Sequence, residues 1–209
     1  MAAINNWNGQ RLYLAIDTTV LWNQYCMIHL SIVGGRAIPF LWKVIEHKSS
    51  TVAFKEYKLM LRLAHRLLSK YSNVMLLADR GFANHQLISW LKTSQWHYGL
   101  RLPCDVVIHG ARKHPIELKY LLPPKSEALL YHNVGLWVDG ECRSNFVLAN
   151  VKGAKEPCSA RAFALQSCDA PHQSFTTLCV CSVGAGALHP WKPGHFVSAT
   201  TNCANALHR

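Results

Sequence analysis

Two aspartates stand at the ends of apolar runs. Asp17 follows Leu12-Tyr13-Leu14-Ala15-Ile16, and Asp79 follows Val74-Met75-Leu76-Leu77-Ala78. Apolar runs of that length read as buried strands, so both carboxylates are expected at strand ends. Two carboxylates side by side on a rigid frame suit magnesium, a hard cation that takes oxygen ligands. Magnesium held in this way activates a water or hydroxyl and stabilises a leaving oxygen. The chemistry implied is phosphodiester cleavage or transfer on nucleic acid. A lone aspartate at a strand end more often serves a turn, and Thr18-Thr19 and Arg80-Gly81 would suit such turns. It is the pair that carries the inference.

The whole-chain charge agrees with a polyanionic partner. The 209 residues carry a formal net charge of +11, with half of them hydrophobic. That is enough apolar content for a sizeable core, and the basic balance favours nucleic acid. No apolar run approaches the roughly 20 residues of a membrane span, and the first residues lack the apolar centre of a signal peptide. No membrane partner and a cytoplasmic location are therefore expected. The eight cysteines are then expected to be mostly reduced thiols.

The elements that must position the aspartates read as follows. Residues 11–17, 24–33 and 36–46 form an antiparallel meander, with Gly34-Gly35 as a turn. Pro39 places the third strand at an edge or a bulge. Residues 51–71 form a helix with Thr51 as N-cap. Its apolar face is Ala53, Tyr57, Met60, Leu61, Ala64, Leu67, Leu68 and Tyr71, and Lys55, Lys58, Arg62, Arg66 and Lys70 make the opposite stripe. Residues 73–79 form a strand. Residues 84–94 form a helix capped by Asn84, with Leu87, Ile88 and Leu91 buried. Residues 96–102 form a fifth strand. The order β-β-β-α-β-α-β fits an α/β, RNase H-like fold: a mixed five-stranded sheet flanked by helices. That core is expected over 10–103. A β-rich insertion is expected over 104–157, with strands near 105–108, 129–138 and 145–151.

After Pro157 the pattern changes. Residues 158–209 hold five of the eight cysteines and only four charged side chains: Arg161, Asp169, Lys192 and Arg209. No helical stripe or strand alternation is visible there. Such a break is what an out-of-frame reading produces, and a divergent genuine tail is the alternative. Its cysteines and histidines also allow a zinc module, although the Cys179-x-Cys181 spacing is unlike the usual Cys-x2-Cys.

The blocks Ala15-Ile16-Asp17-Thr18-Thr19 and Ala78-Asp79-Arg80-Gly81-Phe82 resemble the first two catalytic motifs of DDE-class bacterial insertion-sequence transposases. The subgroup is the one with a β-strand insertion in its catalytic domain. Tyr98-Gly99-Leu100-Arg101-Leu102 and Asn150 to Pro157 are also of the family type, so the likeness covers about 10–157. The resemblance implies an RNase H-like catalytic domain that hydrolyses and transfers DNA strands at insertion-sequence ends. It implies two magnesium ions, Asp17 touching both and Asp79 holding one, and a homodimer in the complex of the intact family with DNA ends and target. The family's third motif, Tyr-x2-Arg-x3-Glu-x6-Lys, has no counterpart, and no glutamate follows Glu156. The chain therefore looks like an internal fragment with an incomplete site, defective in strand transfer.

Around this pair, Arg80 is expected to neutralise a scissile-strand phosphate or to pair with Asp79, and Gly81 to supply a tight turn. Arg101, Arg112, Lys113 and Lys119, with His109 and His114, are expected to meet backbone phosphates. Trp96 and Trp137 could stack on unpaired bases, though a strand tryptophan is more often core. Two other readings remain open. One is a metal-dependent nuclease of RNase H-like fold, with Glu46, Glu117, Asp139 or Glu141 as further ligands. The other is a non-catalytic DNA-binding remnant.

Overall fold

Alternation builds the first sheet. The computed structural model describes residues 11–34, 36–121, 123–124, 128–150 and, as backbone, 160–165. Strand β1 (Leu12–Leu21) buries Leu12, Leu14 and Ile16 on one face. Strand β2 (Tyr25–Gly34) returns antiparallel and buries Cys26, Ile28 and Leu30 on that same face. Three residues, Trp22 to Gln24, join them. The Gln24 N–H donates to the Leu21 carbonyl (3.1 Å), and Trp22 and Asn23 take φ of 52° and 54°. Positive φ at both central residues is the signature of a type I′ hairpin turn, whose twist matches that of the strands. Strand β3 (Arg36–Glu46) takes the edge. Its register slips between the pairs Leu30–Leu41 and Ser31–Pro39, so Phe40 is the extra residue of a bulge. Pro39 lacks an N–H for the ladder, and here it is both edge and bulge.

Helix α1 (Phe54–Leu67) buries Phe54, Tyr57, Met60, Leu61 and Ala64. It starts later than expected. Ala53 occupies the N-cap with no side-chain cap, and the Thr51 N–H donates to Ser49 Oγ (3.1 Å). Leu67 is exposed, and Leu68 beyond the helix end is buried in its stead. Lys55, Lys58, Arg62, Arg66 and Lys70 all lie exposed. Lys43 pairs with Ile28 across the sheet and donates through Nζ to the Glu56 carbonyl (2.7 Å). Helix α1 therefore covers the face that holds Leu14 and Ile28.

Strand β4 (Val74–Ala78) runs parallel to β1, and strand β5 (His97–Arg101) parallel to β4. Val74, Met75, Leu76 and Leu77 are all buried, the continuous apolar pattern of a strand inside a parallel set. Helix α2 (His85–Thr93) begins as expected at Asn84, whose Oδ1 accepts the Leu87 N–H (2.8 Å). Asn84 Nδ2 donates to Tyr57 Oη (3.1 Å), and the His65 ring meets the Trp90 ring at 6.2 Å. These contacts join α2 to α1 in one layer. Burial pushes the Tyr57 hydroxyl up to about 12, and the Asn84 bond lowers it slightly. The strand order is β3-β2-β1-β4-β5: a mixed five-stranded sheet with helices, in an α/β unit that spans Met1–Arg101.

The second unit, Leu102–Arg209, is β-rich. Strands β6 (Val107–His109), β7 (Ile116–Glu117), β8 (Ala128–Leu136), β9 (Cys142–Asn150) and β10 (Ala160–Leu165) pair antiparallel in the order β10-β9-β8-β6-β7. Ile108, Leu118, Leu136, Phe146 and Leu148 are buried, and Tyr131 stacks on Phe146 at 4.6 Å. Gly140 turns the β8–β9 hairpin at φ 64°, where an added Cβ would lie 2.9 Å from the His109 ring. Two strands depart from the sequence reading. β7 is only two residues long, too short for alternation to show. β10 falls in the stretch read as patternless, because its backbone is recruited by β9. The rest of 158–209, with the cysteines read as a zinc module, lies outside the described residues. Cys26 and Cys142 are in no disulfide, whereas Cys104 is disulfide-bonded, an exception to the expected mostly reduced thiols. No spacing in the sequence marks which cysteines approach each other.

Candidate metal and nucleic-acid site

The parallel pairing of β1 with β4 brings the two aspartates together. The last pair of the ladder sets Ile16 beside Ala78. Asp17 continues β1, and Asp79 is still extended at φ −79° and ψ 171°. The next step therefore sets Asp17 beside Asp79. Neighbouring strands lie about 4.8 Å apart, and in-register residues share a face. The β4–β5 register sets Ala78 beside Leu100 and hence Asp79 beside Arg101, and Arg101 Nη1 does reach Asp79 Oδ1 at 3.3 Å. On the other side Asp17 pairs with His29, and His29 with Trp42. One row therefore crosses the sheet: Trp42, His29, Asp17, Asp79, Arg101. It lies on the face opposite α1.

One expectation needs correcting. Asp17 does not end its strand, because β1 runs on to Leu21 under antiparallel pairing with β2. β4 stops just short of this level, and β5 ends on it with Arg101. Asp17 thus stands where its parallel neighbour leaves the sheet.

Local bonds fix each carboxylate. The Thr18 N–H donates to Asp17 Oδ1 (2.8 Å), and Thr18 Oγ1 donates to the Ser50 carbonyl (2.8 Å). Thr18 therefore ties the carboxylate to the segment that leads into α1. The Asp79 side chain is 55% exposed and that of Arg101 18%. So open a pair contributes little to stability; its effect is to orient the carboxylate. After Asp79 the chain makes a short 3-10 turn, Arg80–Phe82, anchored by buried Phe82, whose ring meets Tyr57 edge-on at 5.3 Å. Gly81 takes no positive φ, and a Cβ there would meet only Thr51 Oγ1 at 3.8 Å. The turn does not require glycine, contrary to expectation. Arg80 is exposed, and Arg101 is an ion-pair partner of Asp79.

His29 was not anticipated. Its Nδ1 is the buried side-chain polar atom that lacks a hydrogen-bond partner among the described residues. Such orphans are rare in folded proteins, and this one flanks Asp17. Trp42 was missed too. The signal for both was the turn at Trp22-Asn23: once that loop is fixed, the antiparallel register follows.

The basic residues of the second unit divide. Arg112 and Lys113 are exposed between β6 and β7. Lys119 is already engaged, with Nζ 2.6 Å from Glu117 Oε2 and 5.0 Å from the centre of the Tyr120 ring. Its hydrogen bond to Glu117 raises its pKa. Trp96 is core: it is buried and packs edge-on against Trp90 at 5.6 Å. Trp137 is half-buried, and its carbonyl meets the His109 ring nitrogen Nε2 at 2.8 Å.

The donor set fits one hard cation. Magnesium commonly takes one or two carboxylates and completes its octahedron with water and substrate phosphate, and Asp17 and Asp79 offer that much. Among the described residues, no group of three His, Cys, Asp or Glu side chains is arranged to hold an ion. The complement for two ions is not present there. Among the described residues, no helix is long and apolar enough to cross a membrane.

No family model matches the chain, and no curated protein matches it. Among solved structures it is similar to Marinitoga piezophila Argonaute in complex with 5′ OH guide RNA and target DNA, at 10% identity and a TM-score of 0.35, over 79% of this chain and 25% of that one. It is similar also to that Argonaute in complex with 5′ OH guide RNA alone, at 11% identity and a TM-score of 0.31, over 80% and 25%. The chain spans 25% of the length of the Argonaute chains it matches. A likeness this loose fixes neither fold family nor function.

Proposed function

We propose that residues 10–157 form part of the catalytic domain of a DDE-class insertion-sequence transposase. In this reading an RNase H-like core binds magnesium through Asp17 and Asp79, for phosphodiester hydrolysis and strand transfer on DNA. The observation that carries the reading is the β1–β4 register, which makes the two aspartates neighbours. The strand order β3-β2-β1-β4-β5 and the Asp79-Arg80-Gly81-Phe82 block support it.

A divalent ion at this pair supplies a lowered pKa for an attacking water or 3′-hydroxyl and charge stabilisation for the leaving oxygen. The chain's own residues do the rest. The Thr18 N–H holds the Asp17 carboxylate in one orientation. Arg101 orients Asp79 and offsets the repulsion between two adjacent carboxylates. Exposed Arg80, next in sequence to Asp79, supplies charge for a phosphate of the scissile strand. The family's third carboxylate has no counterpart, since no glutamate follows Glu156.

Manganese titration of the 209-residue chain tests this by calorimetry. One site is expected. Asp17→Asn and Asp79→Asn should each weaken it at least as much as loss of an outer-shell partner, about 10- to 100-fold, while Asp105→Asn should not. Unchanged affinity in both site variants would end the proposal. On supercoiled DNA with magnesium, no strand transfer is expected from this chain, and its detection would refute the incomplete site. Metal-dependent nicking without transfer, lost in both variants, would turn the reading toward a nuclease.

A further inference from the structure

We infer that the face bearing Asp17 carries stacking positions for unpaired bases of the DNA substrate: Trp42 in the row of Asp17 and, about four residues further along the strands, Trp22 at the β1–β2 turn with Lys48 beside it. The inference rests on the reading above. Trp42 is 65% exposed in the middle of β3, two strands from Asp17 in the same row. Two inter-strand steps of about 4.8 Å set it roughly 10 Å away. Trp22 is 85% exposed at the β1–β2 turn, and its ring meets Tyr25 edge-on at 6.4 Å. Tyr25 shares the Asp17 face, since Asp17 pairs with His29 and Leu21 with Tyr25 in one alternating register.

The backbone at Trp22 is an independent observation. Its φ of 52° lies in the left-handed region, which is costly for a bulky residue. Asparagine or glycine would suit that turn position better. A strained and solvent-facing indole contributes nothing to the core, so its value lies in what it meets outside. Charge complements the aromatic surface. The His47 N–H donates to the Gln24 carbonyl (2.9 Å), which brings the exposed, cationic Lys48 to the same turn. Exposed aromatics beside a cation, on a chain of net charge +11, are what single-stranded nucleic acid recognises: bases stack and the ammonium meets phosphate. An unpaired base held about two strands from the aspartates would fix which phosphate faces them.

The test is fluorescence anisotropy of a short labelled single-stranded oligonucleotide, and of its duplex, with the full chain. Trp42→Ala is expected to weaken single-strand binding about tenfold, which is one lost base stack, with less effect on the duplex. Trp42→Phe should restore most of it. Trp22→Asn is the sharper variant: it should raise the melting temperature, by relieving the turn, yet lower single-strand affinity. A wild-type chain that binds single strands with unchanged affinity in all three variants overturns the subsite and leaves the metal site standing. A chain that binds no DNA of either form overturns both. Unchanged affinity with loss of self-association in sedimentation would assign this face to a second copy of the chain and also overturn the inference.

Discussion

The unit that ends at Arg101 and the unit that follows it both build sheets, yet they relate sequence to chemistry in different ways. In the first, parallel pairing joins residues far apart in the chain, and the row from Trp42 to Arg101 draws on all five strands. In the second, antiparallel pairs join near neighbours, as Leu136 with Cys142, and the exposed cations Arg112 and Lys113 sit in the connection between β6 and β7. The candidate site thus lies where β4 and β5 end beside β1, because several strands there deliver side chains to one level. Charge gathers where hairpins turn, because turns face water.

Core truncations break the comparison most forcefully. Leu76→Ala, in β4 just before Asp79, should cost about 2–5 kcal/mol and abolish manganese binding with it. Phe146→Ala should cost about 3–5 kcal/mol in the second unit and leave manganese affinity intact, since both proposed ligands lie before residue 102. Loss of the ion in Phe146→Ala would show that the site draws on both units. The next effect is smaller. Asn84→Ala removes both the α2 cap and the bond to Tyr57, and should cost about 1–2 kcal/mol in chemical denaturation. Tyr57→Phe should recover part of that loss, because it deletes the partner as well.

Acid sharpens the contrast further. Burial, and then the charge of Arg11, hold the His97 imidazole below its ordinary 6.5. The unfolded chain therefore binds this proton more tightly than the folded one. Stability that is full above pH 6.5 is lost as pH falls through the folded value. His97→Gln should flatten the acid limb of melting temperature against pH; an unaltered limb would remove His97 as its cause. The smallest effect is expected in the second unit. Arg112→Ala and Lys113→Ala should each weaken DNA binding for every sequence alike and lower the salt slope by about one.

Much of the first unit could be read in advance, for a physical reason. Strands 36–46 and 73–79 and the cap at Asn84 are written in local pattern: alternation, an apolar run, and a side chain that bonds its own helix. Thr51 failed as a cap because the helix begins two residues later than read, with extended Ala53 at its N-cap. Strand β7 and the strand character of 160–165 escaped because they depend on a partner strand rather than on their own residues. Trp96 was ambiguous in sequence and is settled by its neighbours Trp90 and His65.

The chain's letters by themselves determined that two carboxylates would terminate or interrupt apolar strands, that Arg-Gly-Phe would follow the second, and that the surface would be basic. Those are matters of composition and of periods two and 3.6, which act over a few residues. Tertiary structure alone decided that Asp17 has His29 on one side and Asp79 on the other, that Arg101, 22 residues away in sequence, pairs with Asp79, and that Trp42 faces outward in the same row. These depend on which strand lies beside which and at what register, and that choice is made by burying the whole sheet at once.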